Sequence, residues 1–382
     1  MPLIVLYEHV PGRDADACFQ HERGRGARPR SPACETKHPP MREDARVALG
    51  SVTRSVVERA FDRISPPDRP SEPPWLRDAW EQMDREFLTG PPLTLHLPVP
   101  ALFVGFWAAF RESVLAGPSD RLTREVIAAA VSSVNECPYC VDSHTASTSA
   151  LGDDAAAKAL RAGSVDAIAR PDLRAAAGWA AATRSPGDPT LASAPFKPED
   201  MPFAIATALA FHYLNRMVSA FLKPSPVRIP SFIERRPFMT RLTAVFPGRL
   251  LGAGGFEPGA SLAFCPSSPS VPELAKLDDV PTVAAAWAAL VKSADDAGAA
   301  VLPASSRSAI ARTIDTWDGT DPGLGSAWIE DVVGSLPQDE QPAATFALVC
   351  ALASYRVDRG LVEVVRRMHP TDGDLVSIAA WI

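Results

Sequence analysis

The chain has 382 residues, with 38 Lys and Arg against 45 Asp and Glu and a formal net charge of −7. That mild acidity, without a clustered basic face, argues against a nucleic-acid partner, and no uninterrupted apolar run reaches the roughly 18–20 residues that a membrane span needs. Six cysteines in a chain of this size do not make a disulfide scaffold and suit a reducing, cytoplasmic compartment.

The opening PLIVLY is too short, and lacks the basic flank, for a secretory signal. Residues 1–45 are otherwise crowded with Arg, Pro and Gly and lack periodicity. They read as a disordered tail, in which Cys18 and Cys34 are incidental and Met41 offers an alternative start. From Arg46 the pattern turns helical: RVALGSVTRSVVERAFDRI has apolar residues at helical spacing, and the prolines from Pro66 to Pro74 end it.

PWLRDAWEQMDREFL and the apolar run from Val99 to Phe110 then lead into two adjacent helices. Pro118, Ser119 and Asp120 open the first, which carries LTREVIAAAVSSVN. Pro138 suits the first position of the second, placing Cys137 at or near its N-cap. That helix is expected to stop at Gly152, with Asp153 or Asp154 capping the next through AAAKALRAG. An Ala-rich helix around Trp179, a connection from Ser185 to Pro198 and the segment FHYLNRMVSAFL complete a helical domain spanning 46–222.

Residues 223–275 are rich in Pro and Gly but interspersed with Phe232, Phe238, Phe246 and Phe256, which suggests an irregular excursion with Cys265 as a bystander. Residues 276–382 are helical again. Shifted by 218 positions, VSSVNECPYCVDSH lies over VCALASYRVDRGLV, so Tyr355, Asp358 and Val362 stand where Cys137, Cys140 and His144 stand. This reads as a degenerate second repeat that keeps the packing and loses the chemistry, with Cys350 in its core.

The chemistry concentrates in Glu125, Cys137, Cys140 and His144. Helix neighbours three, four and seven apart share a face, so both thiols and the imidazole project from one stripe. Cys137 at a helix N-terminus should ionise readily, Cys140 lies within reach of His144 at i+4, and the adjacent helix brings Glu125 to the imidazole. A structural zinc site needs a second pair of ligands, which the sequence lacks. Haem attachment needs His where Val141 stands, and a thioredoxin domain needs β-rich flanks; neither a metal nor a bound cofactor is expected. In the FHYLNRMV segment His212, Tyr213, Asn215 and Arg216 either wall a substrate pocket, with Tyr213 or Arg216 facing the thiols, or are satisfied polar groups at a helix contact; we favour the second.

The segment from Leu122 to Gly152 resembles the core of the alkylhydroperoxidase D-like (AhpD-like) proteins of the carboxymuconolactone decarboxylase superfamily, whose pattern is Glu, eleven residues, Cys-x-x-Cys, three residues, His. FHYLNRMVSAFL is similar to a helix that follows the core in longer members. The resemblance implies an all-α fold assembled as a homo-oligomer, trimer or larger. It also implies a thiol peroxidase acting on organic hydroperoxides: Cys140 attacks, Cys137 resolves the sulfenic acid as a disulfide, Glu125 and His144 relay protons, and an external dithiol reductant, dihydrolipoyl or thioredoxin-like, closes the cycle. Helix-dipole reasoning favours Cys137 as attacker. We side with Cys140, because a base within reach outweighs a dipole effect of about 1 kcal/mol or less.

Some members have a second histidine between the cysteines, where this chain has Tyr139. A phenol with a pKa near 10 can donate a hydrogen bond but cannot accept a proton at neutral pH. Tyr139 and Tyr213 are the candidate substrate contacts. The same dithiol suits two alternatives, a dithiol-disulfide oxidoreductase and a redox sensor whose oxidation moves the excursion. Lactone decarboxylation, the superfamily's other activity, does not depend on a CxxC.

Overall fold

A computed structural model describes residues 58–87, 89–118, 120–224 and 256–382. The expected tail with Cys18, Cys34 and Met41, and the stretch holding Phe232, Phe238 and Phe246, lie outside the described residues. In chain order the helices before the excursion are α1 (Pro74–Glu86), α2 (Pro91–Thr94), α3 (Pro100–Phe110), α4 (Arg121–Val134), α5 (Pro138–Ala150), α6 (Asp154–Arg161), α7 (Pro171–Ala182) and α8 (Met201–Phe221). After it come α9 (Pro281–Val301), α10 (Ala304–Asp315), α11 (Ala327–Val333), α12 (Gln341–Leu352), α13 (Arg359–Arg366) and α14 (Asp372–Trp381). Among the described residues there is no strand, only an antiparallel bridge between Phe61 and Leu222. The chain is all-α, and no helix of the described residues is long and apolar enough to cross a membrane.

Local chemistry explains the helix ends. Proline opens α1, α2, α3, α5, α7 and α9, at the one helical position where a missing N–H costs nothing. Asp120 caps α4 by accepting from the amides of Leu122 and Thr123. Asp153 caps α6 through Ala156, just after Gly152 has ended α5 in a left-handed conformation, φ 101°.

The centre is built on helices that are apolar all round and must be wrapped by others. In α8, 17 of 21 residues are buried. Helix α3 packs against α9, α8 against α4, and α4 in turn against α5 and α7. Gly105 sits where α3 and α9 touch: a Cβ there would lie 3.1 Å from the Leu290 Cα. Phe103, Phe106, Phe110, Phe211 and Phe221 are fully buried, each stabilising by roughly 1.5–3 kcal/mol relative to exposure. One apolar cluster runs from Ala60 to Ala380, so the helices on either side of the excursion share a core. Helix α12 ends at Leu352, which is 218 positions beyond the end of α4 at Val134. A 3-10 turn at Ser354–Arg356 follows, and α13 begins only at Arg359.

Helix α3 continues into a π-helical turn, Arg111–Leu115. Arg111 there pairs with Glu86 and Glu112, each at 2.6 Å. Glu112 also accepts from the Gly259 amide at 2.8 Å and the Ser261 hydroxyl at 3.0 Å. The buried charges are thus mutually satisfied and pin the chain near 260 against α3.

Candidate active site

Cys137 is the N-cap of α5, in extended conformation, with Pro138 at the first helical position. Both cysteines are free thiols, 1 % and 2 % exposed. The two sulfurs are hydrogen-bonded to each other, and α8 brings Asn215 to both of them and Ser219 to Cys137. The Cys140 thiol donating to its sulfur, reinforced by Ser219 and Asn215, holds the Cys137 thiol below its ordinary value despite burial. Burial, together with the adjacent Cys137 sulfur, pushes Cys140 well above it. Of the two thiols Cys137 is therefore the easier to ionise and Cys140 the one that keeps its proton, in keeping with the positive end of α5 at Cys137. Tyr139 lies close enough to feel both sulfurs; burial first, then their charge, raises its phenol.

The proton-handling side is assembled from α4 and α5. His144 Nδ1 stands 2.6 Å from Glu125 Oε2, and Arg121 donates to Glu125 Oε1 from Nε at 2.8 Å and Nη2 at 2.6 Å. The π-helical turn contributes as well, because the Val114 carbonyl accepts from Arg121 Nη1 at 3.0 Å. Burial alone would raise the Glu125 carboxyl, but the charges of Arg121 and His144 and their hydrogen bonds outweigh it and hold the pKa at about 2. An ionised carboxylate only accepts, so Nδ1 of His144 carries a proton and Nε2 is the nitrogen left to exchange one. The Phe211 ring meets the imidazole edge-on, with centroids 4.3 Å apart. His144 and Cys140 are one turn apart on α5. Among the described residues no hydrogen bond joins His144 to either thiol.

The polar residues of α8 separate. His212 is held neutral by burial and two nearby arginines. Its Nε2 bonds Thr183 Oγ1 at 2.8 Å, and its Nδ1 meets the Asn135 amide at 3.1 Å. Asn215 accepts from Asn135 at 3.0 Å and donates to Ser132 at 3.1 Å. Tyr213 instead stacks on His96 and lies tilted against Phe106, at centroid distances of 5.6 and 5.1 Å. Among the described residues its buried hydroxyl has no hydrogen-bond partner, and neither does Nε2 of His96. The groups that reach the thiols from α8 are thus Asn215 and Ser219. Sequence reasoning missed the role of Arg121, although its spacing of four from Glu125 on one helix was a usable signal. Ser219 and Asn135 gave none. Among the described residues no group of three or more His, Cys, Asp or Glu side chains could hold a metal.

The family model described as carboxymuconolactone decarboxylase matches residues 101–183, a span that holds Arg121, Glu125, both thiols and His144. An alkyl hydroperoxide reductase of Mycobacterium tuberculosis is 31 % identical over 307 residues, covering 80 % of this chain and 87 % of the relative. No solved structure matches the chain. On the matched motif, the all-α fold and this relationship along most of its length, the chain belongs to the carboxymuconolactone decarboxylase family.

Proposed function

We propose that the protein is a thiol peroxidase that reduces organic hydroperoxides through the Cys137/Cys140 dithiol. The observation that carries this reading is the ionised Glu125 fixing Nδ1–H of His144, one helical turn from a thiol that burial keeps protonated. His144 Nε2 takes the Cys140 proton, directly or through one water. The Cys140 thiolate attacks the distal oxygen of the hydroperoxide, the O–O bond breaks, and the departing alkoxide collects a proton from the imidazolium as an alcohol. The Cys137 thiolate then attacks the Cys140 sulfenic acid, forming the disulfide and releasing hydroxide, which leaves as water. The balance is dithiol plus ROOH to disulfide plus ROH plus H2O. The lowering of the Cys137 pKa by its hydrogen bonds suits the resolving step, since a thiolate is the attacking form.

Two electrons from an external dithiol restore the pair, and a dihydrolipoyl or thioredoxin-like protein is the donor we infer. The name of the mycobacterial relative, alkyl hydroperoxide reductase, agrees with this reading. Steady-state consumption of cumene hydroperoxide with dihydrolipoamide tests it. Many turnovers per chain, abolished in Cys140→Ser, are expected. Oxidation that stops after one equivalent would leave a sensor instead of an enzyme.

A further inference from the structure

A cleft open to solvent lies beside the residues that precede the dithiol; Asn135, Glu136, Arg184, Arg216, Asp321 and Tyr355 line it. Two guanidinium groups share its aromatic wall, Arg184 and Arg216 lying 5.3 and 6.0 Å from the centroid of Trp317. Their hydrogen bonds all go to uncharged acceptors. Arg216 donates to the carbonyls of Ala351 at 2.8 Å and His212 at 2.6 Å, and Arg184 donates to Asn135 Oδ1 at 3.0 Å. Among the described residues neither forms an ion pair, and Nη2 of each is left without an acceptor. Burial and the proximity of Arg184 bring the Arg216 guanidinium down to about 10. Asp321 and Glu136, exposed at the rim, act on Arg184 only from beyond ion-pair distance. Asp321 is further engaged by the Tyr355 hydroxyl at 2.9 Å and the Gly323 amide at 2.7 Å.

Two like charges held together and partly buried are costly unless an anion joins them, and free guanidinium edges fit the planar oxygens of a carboxylate or the face of a phosphate. We propose that this cleft is an effector site for a small oxyanion, held between Arg184 and Arg216 and coupled to the dithiol. The coupling path is continuous. Arg184 bonds Asn135, Asn135 donates to Asn215 at 3.0 Å, and Asn215 reaches both sulfurs. An anion that draws Arg184 away from Asn135 loosens the amide that favours the Cys137 thiolate, and it adds negative charge nearby. Both effects raise the Cys137 pKa.

Isothermal titration of the reduced, full-length protein with sodium phosphate and, separately, sodium benzoate at constant ionic strength tests the site. One saturable site per chain is expected, weakened about tenfold or more in Arg184→Gln, with Arg184→Lys, which keeps the charge but loses the fork, in between. Tighter phosphate marks a phosphoryl ligand, and tighter benzoate a carboxylate. The second readout is the pH profile of Cys137 alkylation by iodoacetamide, which saturating anion should move up by about half a pH unit, roughly threefold slower below the midpoint. Arg184→Gln should abolish that shift while keeping the wild-type melting temperature. Absence of saturable binding by both anions, equal affinity in Arg184→Gln, or binding with an unmoved alkylation profile would each overturn the proposal. No step uses a peroxide, so the result stands apart from the peroxidase reading.

Discussion

His144 Nδ1 and Glu125 Oε2 lie 2.6 Å apart, and Arg121 occupies the other carboxylate oxygen through two N–H groups. The imidazole is therefore fixed in orientation, with a proton on Nδ1 and Nε2 free to exchange one. Replacing His144 by Ala should slow oxidation of Cys140 about 100-fold or more, the usual scale for losing a positioned acid–base group. Glu125→Gln should slow it less, in the same direction. Single-turnover rates measured across pH check both, and an unchanged rate in His144→Ala would remove the proton relay from the mechanism.

Asn215 touches both sulfurs from α8. Truncating it to Ala removes a donor that favours the Cys137 thiolate. The pH midpoint of Cys137 alkylation should rise, and Ser219→Ala should move it less. A profile identical to wild type in both variants would mean that the helix N-terminus and Cys140 alone set the Cys137 pKa.

Acid should destabilise the protein in two windows. Burial lowers His96 from 6.5 to about 3, so the unfolded chain binds the proton first. The stability tied to keeping His96 neutral is complete above pH 6.5 and drains as pH falls toward 3, a loss on the order of 5 kcal/mol. Buried His212 shifts in the same direction. Glu125, lowered to about 2, contributes above its unfolded value of about 4.5 and loses that contribution as pH falls through 2, on the order of 3 kcal/mol. Urea unfolding between pH 8 and 3 should show a shallower decline below 6.5 in His96→Phe. The same slope in both proteins would exclude His96 as a source.

Gly298 of α9 faces Trp381 of α14 so closely that a Cβ would overlap the indole and its own Cβ. Gly298→Ala should cost about 1–3 kcal/mol through overpacking, whereas Gly178→Ala, at a position with open space around it, should be neutral or slightly stabilising. Thermal unfolding of the two variants distinguishes a packing effect from a general response to alanine.

Much of this architecture was legible in local pattern. Pro138 and Asp120 placed the starts of α5 and α4 because capping and proline chemistry act over a single turn. Gly152 marked the end of α5 for the same reason. Glu125 and His144 met because a family motif records a contact between two helices that spacing alone does not fix. What escaped was non-local. The π-helical turn that offers the Val114 carbonyl to Arg121 has no signature in RESVL. The partition of α8, with Asn215 at the thiols and Tyr213 among His96 and Phe106, depends on how one helix is rotated against several others. The Arg184–Arg216 pair joins residues far apart in the chain through Trp317, on a segment the sequence marked only as helical.

The most direct test of the dithiol mechanism is stopped-flow oxidation of the reduced protein by cumene hydroperoxide, with mass spectrometry of the trapped products. Rapid formation of a Cys137–Cys140 disulfide is expected. Cys137→Ser should stop at a sulfenic acid on Cys140, and Cys140→Ser should react no faster than an ordinary thiol. A fast sulfenic acid on Cys137 in Cys140→Ser would contradict the assignment of the attacking thiol, and slow oxidation of the wild type would contradict the peroxidase itself.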